Sequence, residues 1–174
     1  MMEMDVNAKV MGEGYLEAFF RFPLDTTSMD FNVRGSLGPM NLTHFNQIME
    51  PVAFVHIKEG QNQQMQFEFS GDDKKSTGTM EFRYDDLSVL MIDKQKGQAG
   101  LDEKLGSFIA NAFVLKGSNP KSVFLRIGNI AFERDPSRAM FHYWWQSLLS
   151  GIKSSIGLEK NTDKTKDFSR NDGS

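Results

Sequence analysis

The side chains able to do chemistry are few and scattered. Three histidines, His44, His56 and His142, stand far apart, with no HExxH or comparable metal-ligand spacing. Ser147, Ser150, Ser154 and Ser155 crowd one stretch, but none occupies a G-x-S-x-G elbow. Asp72 with Asp73, and Asp85 with Asp86, are adjacent carboxylates. Neighbours on a strand point to opposite faces, so neither pair makes an acid/base couple, and turn formation accounts for both. "GEG" at 12–14 lacks the GK[ST] sequel and the helix of a phosphate loop. "NLT" at 41–43 is a glycosylation triplet of a kind that arises readily by chance. With no cysteine there is no thiolate metal site, no disulfide and no thiol nucleophile. These patterns predict a protein that is not an enzyme and needs neither cofactor nor metal.

The elements around these residues are mostly strands. Met2, Met4, Val6, Ala8 and Val10 alternate with Glu3, Asp5, Asn7 and Lys9. Leu16, Ala18, Phe20 and Phe22 share a face opposite Glu17 and Arg21, with Phe19 breaking the rule and Pro23 ending the strand. Met29, Phe31, Val33 and Leu37 follow. "NLTHFNQIMEP" (41–51) reads as one or two helical turns closed by a proline, and "VAFVHIKEG" as a central strand. The clearest hairpin sets Met65, Phe67 and Phe69 against Met80, Phe82 and Tyr84 across a turn at Gly71, Asp72 and Asp73. One of its faces is apolar and the other charged. "LSVLMID" continues the sheet. Leu101, Leu105, Phe108, Ile109, Ala112 and Phe113 predict a helix near 101–115 that "KGSNP" breaks. "SVFLRIGNIAFERD" is a further strand.

The last element is an amphipathic helix near 137–156, with Asp135 as N-cap, Pro136 in its first turn and Gly157 as its stop. Met140, Phe141, Trp144, Trp145, Leu148, Leu149, Ile152 and Ile156 recur at three- and four-residue steps. That stripe has three readings: a lid on the sheet, an interfacial helix on a lipid surface, or a contact for a partner or acyl chain. Arg138 and Lys153 are the cations available to the second, few for an anionic surface.

The predicted fold is therefore mainly β (α+β), an antiparallel meander sheet, curved or groove-like, with the two longer helices beside it. Residues 1–157 form a single β-rich domain, and 158–174 a disordered polar tail that balances charges and carries little apolar surface. The chain opens mid-strand without a signal-peptide pattern, so it is expected to be the C-terminal part of a longer protein. Net charge is −3 with the two signs mixed along the chain, which gives no footprint for nucleic acid. Fifteen Phe and eleven Met supply large, adaptable apolar surface, suited to a loosely specified core or to a soft ligand.

The segments "GSLGPMNLTHFNQIMEPVAFVHIKEG", "FIANAFVLKGSNP" and "IGNIAFERDPSRAMFHYWWQSLLSGIKSSIG" together resemble the C-terminal segment of AsmA/TamB-like envelope proteins of Gram-negative bacteria, over about Gly14 to Gly157. The resemblance is one of overall pattern, with no catalytic motif and no site residue to carry over. It implies an inner-membrane protein anchored by an N-terminal helix missing here. Its periplasmic body would be a β-sheet groove with an apolar interior that passes phospholipid between membranes or assists outer-membrane assembly. It implies phospholipid or acyl chains, or an envelope protein, as partners. The side chains expected to meet lipid or partner are Met65, Phe67, Phe69, Met80, Phe82, Tyr84, Phe141, Trp144, Trp145 and Leu148. In the alternative reading the apolar face is only core, and the tryptophan helix docks a protein.

Overall fold

The computed structural model describes residues 2–24, 30–91 and 114–158. Its strands are β1 (Met2–Val10), β2 (Gly14–Phe22), β3 (Phe31–Leu37), β4 (Met40–Asn41), β5 (Val55–Gly71), β6 (Lys75–Met91), β7 (Val114–Asn119) and β8 (Ile127–Glu133). They make one antiparallel sheet in the order β1-β2-β3-β5-β6-β7, with β4 on β5 and β8 on the first half of β6. A 3-10 turn (Leu42–Phe45) leads into helix α1 (Asn46–Ala53), and helix α2 (Met140–Ser155) closes the described chain. The sheet is open and uncurled. Its apolar side is covered by elements laid on it rather than by curling.

Period-two patterning sets which face is inside. The registers Phe20↔Val33↔Phe69 and Leu16↔Leu37↔Met65↔Phe82 place large apolar side chains of three and four strands in rows. The opposite face carries Arg34, Glu68 and Glu81. Phe19 falls on that polar face, where the Arg34 guanidinium lies 4.8 Å from its ring centre and that of Arg21 5.7 Å. Register shifts between Ile57 and Glu59, Glu59 and Gln61, and Asn62 and Gln64 re-aim the far half of β5. Burial there falls on Val55, Ile57, Gly60 and Asn62. The Asn46 side chain ties α1 to β5, accepting from Ile57 N–H at 2.7 Å and donating to its carbonyl at 2.8 Å.

Four expectations need correction. Pro51 does not close its helix: α1 continues to Ala53, and Phe54 ends it in a left-handed turn. A proline near the helix end forfeits one N–H bond there. Val52 and Ala53 accordingly finish α1, and the strand expected from Val52 begins at Val55. The helix expected at 101–115 lies outside the described residues except at its end, where Val114 and Leu115 open β7, and "KGSN" is strand rather than breaker. It is held by pairing with residues 84–90 of β6. Finally, α2 starts at Met140 and not beside Asp135. The Asp135 carboxylate accepts from Ser137 N–H at 2.9 Å and from its hydroxyl at 2.6 Å, which makes a turn ahead of the helix instead of a cap. The tail expected over 158–174 lies outside the described residues, apart from Leu158.

The helix stop is as expected. Gly157 has φ of +80°, Leu158 N–H reaches the Lys153 carbonyl at 2.8 Å, and Gly157 N–H reaches that of Ser154 at 3.1 Å. That pair of bonds is a Schellman closure, which favours a residue without Cβ.

Candidate functional site

The apolar face has two regions. Met65, Phe67, Phe69, Met80, Phe82 and Tyr84 are brought together at its centre, and none exposes more than 8% of its surface. Phe82 and Tyr84 pack ring to ring at 4.8 Å, and Phe31 stands edge-on to Phe69 at 5.9 Å. Burial pushes the Tyr84 phenol above its ordinary pKa. These six expected contact residues are core.

The second region lies toward β2, β1 and the start of α2. Trp144 is half-buried in a nest of rings, 4.9 Å from Phe20, 5.6 Å from Phe22 and 6.1 Å from Phe31. Trp145 and Leu148 are half-buried against the core, whereas Phe141 is 73% exposed and joins none of it. On β1, Met4 pairs with Phe20 and Met2 with Phe22. Yet Met2 is 52% exposed and Met4 40%, and Leu24 just beyond β2 is 72% exposed. The apolar rows of the core thus run outward through half-buried rings to water-facing methionines. The Trp144 indole N–H is buried at this margin and has no hydrogen-bond partner.

How α2 sits on the sheet was not visible in its large residues. The side chains it buries are Tyr143, Ser147, Leu149, Gly151, Ser154 and Ser155, largely a strip of small ones. A Cβ on Gly151 would come within 2.7 Å of Ile130, and one on Gly128 of β8 would run into the Gly151 carbonyl and the Ser155 hydroxyl. Helix and strand therefore approach to backbone contact. The strip also seals an edge. Ser154 Oγ accepts from Asn129 N–H at 2.8 Å, and Ser150 Oγ from Ala131 N–H at 3.0 Å. These are alternate amides of β8, the ones turned away from β6. Ser147 Oγ meets Ser76 Oγ at 2.7 Å inside the core. The i, i+4, i+8 spacing of Ser147, Gly151 and Ser155 was the signal in the sequence, outshone by two tryptophans. Tyr143 was also missed. Its ring stands edge-on to Phe31 at 5.4 Å, its hydroxyl donates to the Asp72 carbonyl, and burial raises its pKa.

The polar candidates stay apart. His56 pairs with Glu50 at 2.6 Å, His44 with Glu13 at 2.9 Å, and His142 lies near the Phe132 ring. The Asp72 carboxylate takes the backbone N–H groups of Lys75 and Lys74, which holds its pKa below the usual range and fixes the hairpin turn. Asp135 is lowered by the Ser137 hydroxyl first and by the Ser137 N–H second. Asp85 accepts from Gln63, and Asp86 sits at φ +51° with its N–H on Ser118. Among the described residues no three His, Asp or Glu side chains converge as metal ligands, and no helix is long and apolar enough to cross a membrane.

What this geometry offers is an apolar margin beside β1, which among the described residues pairs on one side only, and a β8 whose outward amides are capped by α2. Compared with protein-family models, curated proteins and solved structures, the chain matches none.

Proposed function

We propose that this chain is a non-enzymatic terminal module of an AsmA-like protein on the periplasmic side of a bacterial inner membrane. In this reading it handles phospholipid acyl chains in transit between membranes or in outer-membrane assembly. One observation carries the proposal. The inward positions of β1 are apolar throughout, and the row from Phe20 and Phe22 to Met4 and Met2 grades from core into water. Apolar burial has no directional demand, so a fatty acyl chain laid along this margin meets adaptable methionine and aromatic surface.

The test is uptake of cis-parinaric acid by the purified chain, compared with a Met2→Glu/Met4→Glu variant. Saturable uptake that the variant loses, with unchanged circular dichroism, supports the reading. No uptake by the native chain, or equal uptake by both, removes it. The complete burial of the six β5 and β6 side chains favours a second reading, in which the face is only core and the Phe141–Trp145 turn of α2 docks a protein. In that case the chain stays lipid-free.

A further inference from the structure

Two edge strands of the sheet, β8 (which shares the far side of β6 with β7) and β1, are treated differently. Along β8 the outward amides of Asn129 and Ala131 are taken up by serines of α2. At the other edge β1 pairs, among the described residues, with β2 alone, and its nine residues are exposed or half-buried on both faces. Across the β1–β2 turn Glu13 N–H donates to the Val10 carbonyl at 3.1 Å, and Val10 pairs with Gly14. The even-numbered residues therefore exchange bonds with β2. The N–H and C=O groups of Glu3, Asp5, Asn7 and Lys9 point outward from the edge. β1 contains no proline and no bulge, the usual devices that blunt an edge.

We infer that this edge is an interface for a second copy of the same chain, with β1 pairing antiparallel to β1 about a two-fold axis at Val6. Charge pairing and the length of the strand favour that partner and that register; centred on Asn7, Asp5 would face Lys9, but Glu3 and Met2 would fall opposite Met11 and Gly12 of the turn and lose their strand partners. Centred on Val6, the outward backbone groups of Glu3 meet those of Lys9 in the partner, and those of Asp5 meet Asn7, forming hydrogen-bonded pairs. Each Glu3 carboxylate then faces a Lys9 ammonium, twice per dimer, while keeping its Arg21 partner at 3.0 Å. Met4 faces Ala8 and Met2 faces Val10, so the apolar row stays on one side. A register centred on Asp5 sets the two Asp5 carboxylates against each other, and one centred on Met4 sets Glu3 against Asp5. An odd register turns the apolar row of one copy to the polar side of the other. The two-fold pairing is isologous and closes, and it leaves β7 and the α2-capped β8 of each copy on the outer side. The apolar margins of the two copies become one surface, an outcome that does not depend on the lipid reading.

The absence of native cysteine makes the test direct. In the inferred register Val6 faces Val6 as a non-hydrogen-bonded pair, with Cα atoms about 4.5 Å apart, within reach of a disulfide. Val6→Cys in the full chain is expected to give a disulfide-linked dimer on mild oxidation. Met2→Cys alone is expected not to, whereas Met2→Cys mixed with Val10→Cys is. Sedimentation of the native chain should show a concentration-dependent dimer that Lys9→Glu weakens about tenfold, because two opposed pairs turn repulsive. Adding Glu3→Lys to Lys9→Glu should restore association. A native chain that sediments as monomer at every concentration overturns the inference. So does a Val6→Cys chain that fails to crosslink, or a dimer indifferent to Lys9→Glu. A chain that stays monomeric yet binds an amphipathic strand peptide shows that the edge serves another partner, and equally overturns self-pairing.

Discussion

Gly128→Ala probes the close seat of α2 on β8. The added methyl meets the Gly151 carbonyl and the Ser155 hydroxyl well inside ordinary contact, and the Ser155 amide nitrogen at 3.0 Å. Two of these obstacles are backbone, so no rotamer change relieves them, and α2 must retreat by about 1 Å or the strand must bend. A retreat of that size carries the 2.8 Å Asn129–Ser154 and 3.0 Å Ala131–Ser150 bonds past hydrogen-bonding range. Overpacking costs about 1–3 kcal/mol and the two bonds about 1 kcal/mol each. The alanine regains about 0.5–1 kcal/mol through the unfolded chain. The net loss is about 2–4 kcal/mol, a fall in urea midpoint of about 1–2 M. Both tryptophans of the chain lie on α2, so their fluorescence reports this docking during urea unfolding. Gly117→Ala on β7 is the control, because a Cβ there meets nothing within 4 Å, and it should be neutral or mildly stabilising. A Gly128→Ala midpoint equal to that of Gly117→Ala would refute the backbone contact on which the sealed edge depends.

Three other outcomes follow from the same contacts. Ser150→Ala with Ser154→Ala strips the acceptors from the outward amides of β8. It should cost about 2 kcal/mol and speed amide exchange at Asn129 and Ala131 measured by NMR; unchanged exchange at both amides counts against sealing by serine. Trp144→Ala should lose about 3 kcal/mol of ring packing in thermal unfolding, whereas Trp144→Phe keeps the ring nest and drops an unpartnered N–H, so it should stay within about 1 kcal/mol of native; equal losses in the two variants would mean the rings do not carry the contact. Tyr84 and Tyr143 have raised folded pKa values, so above the ordinary tyrosine value the folded state holds protons that the unfolded chain has released. Stability is full below about pH 10 and falls as pH rises past it, and Tyr84→Phe should flatten that decline in urea titrations across the range.

The sheet was legible wherever alternation met a single buried face, as in β2 and the β5–β6 hairpin, and β1 was legible from alternation alone, though neither of its faces is buried. The sheet was illegible where the period breaks. The shifts at Ile57/Glu59 and Asn62/Gln64 each insert a residue in β5 and reverse which parity faces in, whereas the one at Glu59/Gln61 inserts in β6, and none of the three shows in the residue pattern. β7 carries the polar, glycine-containing "KGSN", whose strand conformation comes from its partner in β6 and not from local propensity. On α2 the period-3.6 stripe correctly marked a helix whose large residues, Phe141 excepted, pack on the core, but it did not show the small residues that seat it. Small residues carry no hydropathy signal, yet Ser147, Gly151, Ser154 and Ser155 set the depth of the contact. The ten expected contact residues divide by depth: six are core, three are half-buried, and Phe141 alone stands clear. Pattern reveals an apolar face but not which part of it the protein covers with itself.

The account turns most on whether acyl chains reach the margin beside Trp144. Quenching of tryptophan fluorescence by phosphatidylcholine brominated at different depths along its acyl chains measures that contact in the native chain. Saturable quenching that Met2→Glu/Met4→Glu suppresses is the predicted result. Fluorescence unchanged by every brominated lipid, with the chain folded, contradicts it.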